Sequence, residues 1–232
     1  MTDASATPQG APSADAQGGA AAPPSAPLAL IVVDVQGDPG GSSPGIAHTD
    51  GKAVRYQRVL DLVATARANH VPVVFIQEVH KPSLVDIGRE LDGAEGVHCV
   101  EGEPSTELAP DLVPGPDEFL IRKRRYSAFF ATELDLVLRS HGIRTVVLVG
   151  GLTDVCIHYT AVDAHQHDYH LRVVADAVGG SSVPAHDAAL RAIEYLQRDA
   201  LTTTAAMKDA FAAQPGVPLG RRAADGADEA RA

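Results

Sequence analysis

The strongest constraint on the fold is a regular alternation of continuous apolar segments with amphipathic segments. Residues 28–33 form an uninterrupted apolar run, which is typical of a strand buried on both faces of a parallel sheet. Further short strands are predicted at 71–76, 118–121, 145–149, 171–174 and 201–203. Helices are predicted between them at 52–69, 132–140, 156–167 and 184–197. This alternation predicts one doubly wound α/β domain with a parallel sheet.

The two ends of the chain differ in composition from its middle. Residues 1–27 consist mostly of Ala, Pro, Gly and Ser, and residues 214–232 are again rich in Gly, Pro and Ala. Neither segment offers enough apolar surface to offset the entropy of ordering, so both are predicted to be disordered or flexible tails. The predicted domain therefore spans residues 28–213.

Charge and cysteine content exclude several classes of protein. The formal net charge of −11 disfavours nucleic-acid binding through phosphate neutralisation. No apolar run approaches the roughly 18 residues that span a bilayer, so no membrane partner is expected. The two cysteines, Cys99 and Cys156, cannot form a disulfide framework and fit a reducing compartment, so a cytoplasmic location is expected.

Three reactive side chains follow predicted strands. Asp34 ends the first strand, Lys123 follows the third and Cys156 follows the fourth, and ligands of doubly wound folds bind at the carboxyl ends of the strands. Each has an ordinary structural alternative: a turn cap, a solvated basic patch and a small buried apolar residue, respectively. Together, an acid, an amine and a thiol fit an activated nucleophile. A helix terminus and a nearby ammonium would lower the pKa of the Cys156 thiol.

Three longer motifs occur in order along the chain: Leu30-Ile-Val-Val-Asp-Val-Gln36, Lys123-Arg-Arg-Tyr-Ser-Ala-Phe-Phe-Ala-Thr132 and Gly150-Gly-Leu-Thr-Asp-Val-Cys156, with Asp163-Ala164 and Asp176-Ala177 downstream. They resemble the isochorismatase-like cysteine hydrolases, which include nicotinamidases and several ureide and carbamoyl amidohydrolases. The resemblance covers residues 28–203. It implies a three-layer fold around a six-stranded parallel sheet, with Asp34, Lys123 and Cys156 as a catalytic triad.

The resemblance also implies how the reacting group is held. A cis peptide bond between Gly151 and Leu152 would orient backbone N–H groups, including that of Cys156, as an oxyanion hole, with Thr153 beside it. Gln36 and Glu95 are expected to line the substrate pocket. The two aromatic positions that hold the pyridine ring in nicotinamidases are absent here, so Phe129 or Tyr159 is expected to supply a replacement ring.

A second group of residues has the composition of a metal site. Glu78 and His80 lie two residues apart at the end of the second strand, and so point to the same face. With His98 they offer a carboxylate and two imidazoles, a set that suits zinc, iron or manganese. The alternative is three polar residues lining a solvated pocket. The resemblance supports the metal site, with Glu78 standing where nicotinamidases carry an aspartate.

The sequence thus predicts a hydrolase that cleaves the C–N bond of a small amide or ureide through a thioester. A divalent metal is the expected cofactor, no organic cofactor is expected, and a homo-oligomer is expected by analogy with the family. The alternatives are a true nicotinamidase, a vinyl ether hydrolase of the isochorismatase type, a non-catalytic binding or scaffold protein, and a redox-sensing thiol at Cys156. Vinyl ether hydrolases of this family generally lack the nucleophilic cysteine, which Cys156 provides.

Overall fold

The computed structural model describes residues 27–39, 41 and 43–214 and confirms the predicted six-stranded, all-parallel sheet. The strands are β1 (Leu28–Val33), β2 (Val73–Glu78), β3 (Phe119–Lys123), β4 (Thr145–Gly151), β5 (His170–Gly179) and β6 (Leu201–Thr202). Their order across the sheet is β3-β2-β1-β4-β5-β6. The predicted tails at 1–27 and 214–232 lie outside the described residues, apart from Pro27 and Gln214.

Helices cover both faces of the sheet and produce the three layers. They are α1 (Lys52–Ala68), α2 (Leu134–Ser140), α3 (His158–Gln166), α4 (Val183–Leu196) and α5 (Thr204–Ala212). Helices α1 and α5 share one core with the sheet, while α2, α3 and α4 share the other. None of the helices in the described part of the chain is long and apolar enough to cross a membrane.

Strand β1 explains why the first apolar run has no polar positions. Ala29, Ile31 and Val33 pack into the core of α2, α3 and α4. Leu28, Leu30 and Val32 pack into the core of α1 and α5. Because successive side chains point to opposite faces, a strand covered on both sides needs an apolar residue at every position.

The chain winds outward in both directions from β1, which pairs with β2 on one side and with β4 on the other. Such a reversal of strand order opens a crevice at the carboxyl ends of the two central strands. Asp34 follows β1 and Cys156 lies shortly after β4, so both residues stand at this crevice.

The structure adds three features that the sequence pattern does not indicate. Helix α5 follows β6 directly, and its cap Thr203 accepts a hydrogen bond from the Ala206 N–H at 3.3 Å. Strand β5 continues to Gly179, and its pairing with β4 shifts register between Leu148 and Gly150. The predicted helix at 156–167 begins with a π-helical turn, Thr153–Ile157.

Candidate active site

The three reactive side chains predicted at strand ends meet at the carboxyl edge of the sheet. The Lys123 Nζ lies 2.9 Å from Asp34 Oδ2 and 3.3 Å from Cys156 Sγ. Asp34 and Cys156 line a cavity at the crevice, and Lys123 is buried beside them. We refer to these three residues as the Asp-Lys-Cys group.

Close approach of β1 and β4 brings the acid and the thiol together. Asp34 has a φ of +50°, and its N–H donates to the Ile76 carbonyl at 3.0 Å. Gly150 has a φ of +112°, and a Cβ there would lie only 2.0 Å from the Val33 carbonyl oxygen. Only glycine therefore allows β4 to end against β1 in this way. The peptide bond between Gly151 and Leu152 is cis, as the resemblance implies.

Burial dominates the acid–base properties of the thiol and of Asp34. Cys156 lies in the π-helical turn, and burial raises the pKa of its thiol well above the usual range, with Lys123 opposing the rise. The predicted lowering of the Cys156 pKa is therefore wrong, because desolvation outweighs the nearby ammonium. Burial also raises the pKa of Asp34 to about 6, again against the effect of Lys123. At neutral pH the site accordingly presents a neutral thiol beside an ionised carboxylate.

A second carboxylate, Glu78, contacts the same lysine and thiol. It ends β2, where its register partner is Lys123 of β3. Glu78 Oε2 accepts a hydrogen bond from Lys123 Nζ and lies 3.6 Å from Cys156 Sγ. Burial opposes ionisation of Glu78, but the lysine and two histidines hold the pKa of this carboxyl well below its usual range.

Lys123 remains a cation although it is buried. Desolvation works against the ammonium form, but Asp34, Cys156 and Glu78 together hold the pKa of Lys123 above its ordinary value. A permanent positive charge between two carboxylates and the thiol stabilises whichever of the three groups carries the negative charge.

The other carboxylate oxygen of Glu78 belongs to a cluster with two histidines and a second glutamate. Glu78 Oε1 lies 3.3 Å from His80 Nε2 and 2.9 Å from His98 Nε2. Glu90 Oε2 lies 3.4 Å and 3.6 Å from the same two nitrogens. One ligand atom from each residue lies within 4.8 Å of all the others. The structure therefore brings the predicted Glu78, His80 and His98 together and adds Glu90; we call the four the histidine–glutamate cluster.

Loop pairing assembles this cluster. The His80 N–H donates to the Cys99 carbonyl at 2.7 Å, and the Glu101 N–H donates to the His80 carbonyl at 2.8 Å. This pairing carries His98 back to the end of β2. Glu90 comes from a single 3-10 turn, Glu90–Asp92. Because Glu90 follows no strand and belongs to no motif, nothing in the sequence distinguishes it from other acidic residues.

The histidine–glutamate cluster has the properties of a divalent cation site. All four residues are buried. Burial disfavours protonated imidazole, yet Glu78 and Glu90 raise the pKa of His80 to about 8 and that of His98 to about 10. The carboxylates thus attract positive charge, which a cation supplies when it replaces the protons. Within the described residues, both carboxylate oxygens of Glu90 and the Nδ1 of His80 are buried without a hydrogen-bond partner.

Four of the residues predicted to bind substrate lie at or directly behind the cavity. Gln36, Glu95 and Leu152 line it. The Gln36 amide donates to the carbonyls of Glu78 at 2.9 Å and Thr106 at 2.6 Å, so this side chain fixes the surrounding loops. Thr153 is fully buried, and its Oγ1 lies 2.9 Å from the Nδ1 of His186. Thr153 therefore supports the π-helical turn rather than facing the cavity.

Neither predicted replacement ring lies at the cavity. Phe129 is buried in the core, where its ring stacks on His167 at 5.2 Å and on Tyr169 at 5.9 Å. Tyr159 is half exposed, stacks on Tyr126 at 5.6 Å and does not line the cavity. The phenol rings that line the cavity belong to Tyr56 and Tyr126, and the imidazole rings of His48 and His98 line it as well. The expectation for Phe129 and Tyr159 is corrected accordingly, because packing in the core and on a neighbouring ring occupies them.

Comparison with known proteins places these features in context. The family model described as the isochorismatase domain matches residues 28–206. A ureidoacrylate amidohydrolase of Methylorubrum extorquens is 33% identical over 188 residues, covering 71% of this chain and 75% of that protein. A maleamate amidohydrolase of Pseudomonas putida is 32% identical over 183 residues, covering 78% and 85%. The structure of a pyrazinamidase of Pyrococcus horikoshii in complex with zinc is similar with a TM-score of 0.65 and 28% identity, covering 76% and 98%.

Proposed function

Because the chain belongs to the isochorismatase family and is an amidohydrolase acting on C–N bonds of non-peptide amides, we propose that it cleaves a small amide or ureide with Cys156 as nucleophile. The observation that carries this proposal is the Lys123 ammonium, 2.9 Å from Asp34 and 3.3 Å from Cys156 at the buried edge of the cavity. A binding protein does not require a base and a fixed cation around the cysteine. A redox-sensing thiol is accessible and has a low pKa, whereas Cys156 is buried and burial raises the pKa of its thiol.

Asp34 is the proposed base. Its pKa of about 6 leaves it ionised at neutral pH while keeping it basic enough to accept a proton. Glu78 also approaches the thiol, but its pKa is held well below the usual range, which makes it a weaker base. When Asp34 takes the thiol proton, Lys123 stabilises the resulting thiolate.

The reaction then proceeds in two steps. The thiolate forms a bond to the substrate carbonyl carbon, and the N–H groups of Leu152 and Cys156 stabilise the oxyanion. Asp34 returns its proton to the departing nitrogen as the C–N bond breaks, which leaves a thioester on Cys156. Asp34 then takes a proton from water, whose oxygen attacks the thioester, and the acid product leaves as the proton returns to the thiol.

A divalent cation is the proposed cofactor, and Glu78, His80, Glu90 and His98 would hold it. Two imidazoles and two carboxylates suit zinc, iron or manganese. The zinc in the similar pyrazinamidase structure supports this proposal. Glu78 and His98 also line the cavity, so a cation bound here would supply polarisation of a substrate or water oxygen.

Nicotinamide hydrolysis is the second candidate. The rings of Tyr56 and Tyr126 line the cavity and offer aromatic contacts for a pyridine ring. Small polar amides and ureides make less use of these rings and more of the Glu95 carboxylate, which also lines the cavity. The two candidates share the chemistry at Cys156 and differ only in the group that the cavity accepts.

The test is ammonia release by the full chain from a panel of nicotinamide, biuret-like compounds, N-carbamoyl amino acids and half-amides of dicarboxylic acids. Cys156→Ala is expected to reduce turnover by about a thousandfold or more. The matched control is Cys99→Ala, which removes the other thiol of the cavity. The turnover of this variant is expected to fall by no more than about tenfold. Comparable activity of the Cys156→Ala variant would contradict the proposal, as would a panel in which the natural protein hydrolyses nothing.

A further inference from the structure

We propose that Lys52 and Arg55 form a carboxylate-binding subsite in the cavity, so that the substrates are short amides or ureides with a carboxylate remote from the scissile carbonyl. This inference rests on the proposed function for the chemistry at Cys156. Both cations line the same cavity as Asp34 and Cys156. Their positions, rather than any motif, carry the argument.

The two cations lack the carboxylate partners that basic side chains of this protein usually have. Among the described residues, no carboxylate oxygen lies within the 4.0 Å ion-pair distance of Lys52 or Arg55. Lys52 Nζ instead contacts the Ser43 hydroxyl at 3.1 Å. Burial lowers the pKa of Lys52 and of Arg55, and more distant carboxylates of Asp38 and Asp50 only partly oppose this. The cavity wall therefore carries positive charge that a ligand can neutralise.

The position of this charge in the fold is unfavourable for stability. Lys52 is the first residue of α1 and Arg55 lies one turn further on, and the first turn contains no acidic residue. The positive end of the helix dipole disfavours cations there. An anion that binds between the two cations explains why they lie at the unfavourable end of the helix and face a cavity.

Arg55 is held in place over the end of β5. Its guanidinium donates to the carbonyls of Asp50 and of Thr49, the latter at 2.9 Å. The Thr49 N–H in turn donates to the Gly180 carbonyl at 2.9 Å, so the loop before α1 is fastened to the sheet. A Cβ at Gly179 would lie 2.3 Å from Arg55 Nε, so the guanidinium packs flat where glycine leaves room. Because only two of its five N–H donors are used by residues in the described part of the chain, others remain for a carboxylate.

This placement sets the size of the ligand. Gly179 is the register partner of Gly151 in β4, and neighbouring strands lie about 5 Å apart. Cys156 follows Gly151 by a single π-helical turn. Arg55 therefore lies about one strand spacing from the backbone that positions the nucleophile. A carboxylate a few bonds from the scissile carbonyl spans this gap, whereas an amide without a second polar end leaves the cations unsatisfied.

The first experiment assays the full chain with matched pairs of substrates, each an acid and its ester. The half-amides of maleic, fumaric and succinic acid are each tested beside their methyl esters, which keep the amide and lose the charge. The acids are expected to have kcat/KM values about tenfold to a hundredfold higher, the usual effect of a charge-assisted hydrogen bond. Equal values, or a preference for the esters, would overturn the proposal.

Variants test whether Lys52 and Arg55 cause the preference for acids over esters. Arg55→Gln and the double variant with Lys52→Met are expected to reduce the ratio of acid to ester kcat/KM by about tenfold or more. Arg67→Gln is the matched control, because it removes the same charge from the same helix but pairs with Glu118, away from the cavity. The control is expected to retain the ratio. A double variant that keeps the full acid preference would refute the assignment to these residues.

A binding experiment separates failure of the subsite from failure of the proposed function. In the Cys99→Ala background, iodoacetamide labels the single remaining thiol, and mass spectrometry follows the rate. Maleate and succinate are expected to slow the labelling of Cys156 several-fold, and Arg55→Gln is expected to remove this protection. If no amide is hydrolysed but protection is seen, the hydrolase proposal fails and the subsite stands. If millimolar dicarboxylate gives no protection, the subsite is refuted whatever the enzyme hydrolyses.

Discussion

The Asp-Lys-Cys group and the histidine–glutamate cluster share Glu78 but are assembled by different means. The first is built from residues at or just beyond the ends of β1, β3 and β4, which the pairing of the central strands holds at one edge of the sheet. The second depends on a loop pairing at His80 and on a single 3-10 turn that supplies Glu90. One carboxylate oxygen of Glu78 contacts Lys123 and the other contacts the two histidines.

This difference has a functional consequence for charge. The Asp-Lys-Cys group contains its own cation, because Lys123 pairs with Asp34 and also with Glu78 without any ligand. The histidine–glutamate cluster has no such cation and raises the pKa of its histidines instead. We therefore expect a contrast between the two regions: the first is complete as folded, and the second depends on a bound ion.

The largest effect is expected from Lys123→Met. The variant leaves two buried carboxylates without a cation, so kcat/KM is expected to fall by about a thousandfold or more. Breaking a buried ion pair also costs about 3–5 kcal/mol of the free energy of unfolding. Activity assays and urea denaturation measure the two losses. Lys81→Met is the control, because that lysine is exposed and pairs only with Glu101; a similar loss in the control would show that the effect is not specific to the site.

The next effect concerns the cluster alone. Glu90→Gln removes one carboxylate from the proposed cation site, and affinity for zinc or manganese is expected to fall by about a hundredfold. Equilibrium dialysis with metal analysis measures the affinity without any activity assay. Asp92→Asn is the control from the same turn, since Asp92 is exposed and pairs with Arg89. If the natural protein retains no metal after dialysis against a millimolar zinc or manganese salt, the cluster is a network of ion pairs without a bound cation. The expected contrast between the two regions would then be wrong.

The pH dependence distinguishes the two carboxylates that approach the thiol. Asp34 must be ionised to act as base, and its pKa is about 6, so kcat/KM is expected to rise with pH through that value. Between pH 7 and pH 5 the loss is about tenfold for a single group. A profile that stays flat to pH 4.5 would contradict Asp34 and indicate Glu78, whose pKa lies well below the usual range.

The fold and the Asp-Lys-Cys group could be predicted from the sequence for a common physical reason. A strand buried on both faces requires an unbroken apolar run, and β1 provides one at Leu28–Val33. The residue after such a strand lies at the edge where ligands bind. Asp34 follows β1, Lys123 ends β3 and Cys156 lies in the π-helical turn after β4, so the topology brings all three to one edge.

The remaining parts of the site depend on packing that leaves no pattern in the sequence. Glu90 joins the cluster through a turn within a long segment between β2 and β3 that has no apolar periodicity. Lys52 and Arg55 reach the cavity because the preceding loop is fastened to β5 by Thr49. Burial reverses the predicted pKa shift of Cys156, and the degree of burial is a property of the folded molecule.

The smallest effect on activity is expected at Phe129, whose ring was predicted to lie at the substrate pocket but packs in the core. Phe129 packs against His167 and Tyr169 in the core, so Phe129→Leu is expected to cost about 1 kcal/mol of unfolding free energy. Its kcat/KM is expected to stay within about twofold, because the ring does not line the cavity. Tyr126→Leu is the informative comparison, since Tyr126 lines the cavity and donates to Glu95 at 3.1 Å; its KM is expected to rise several-fold. If Phe129→Leu raised KM more than Tyr126→Leu without loss of stability, the ring of Phe129 would contact the substrate and would belong to the cavity rather than to the core.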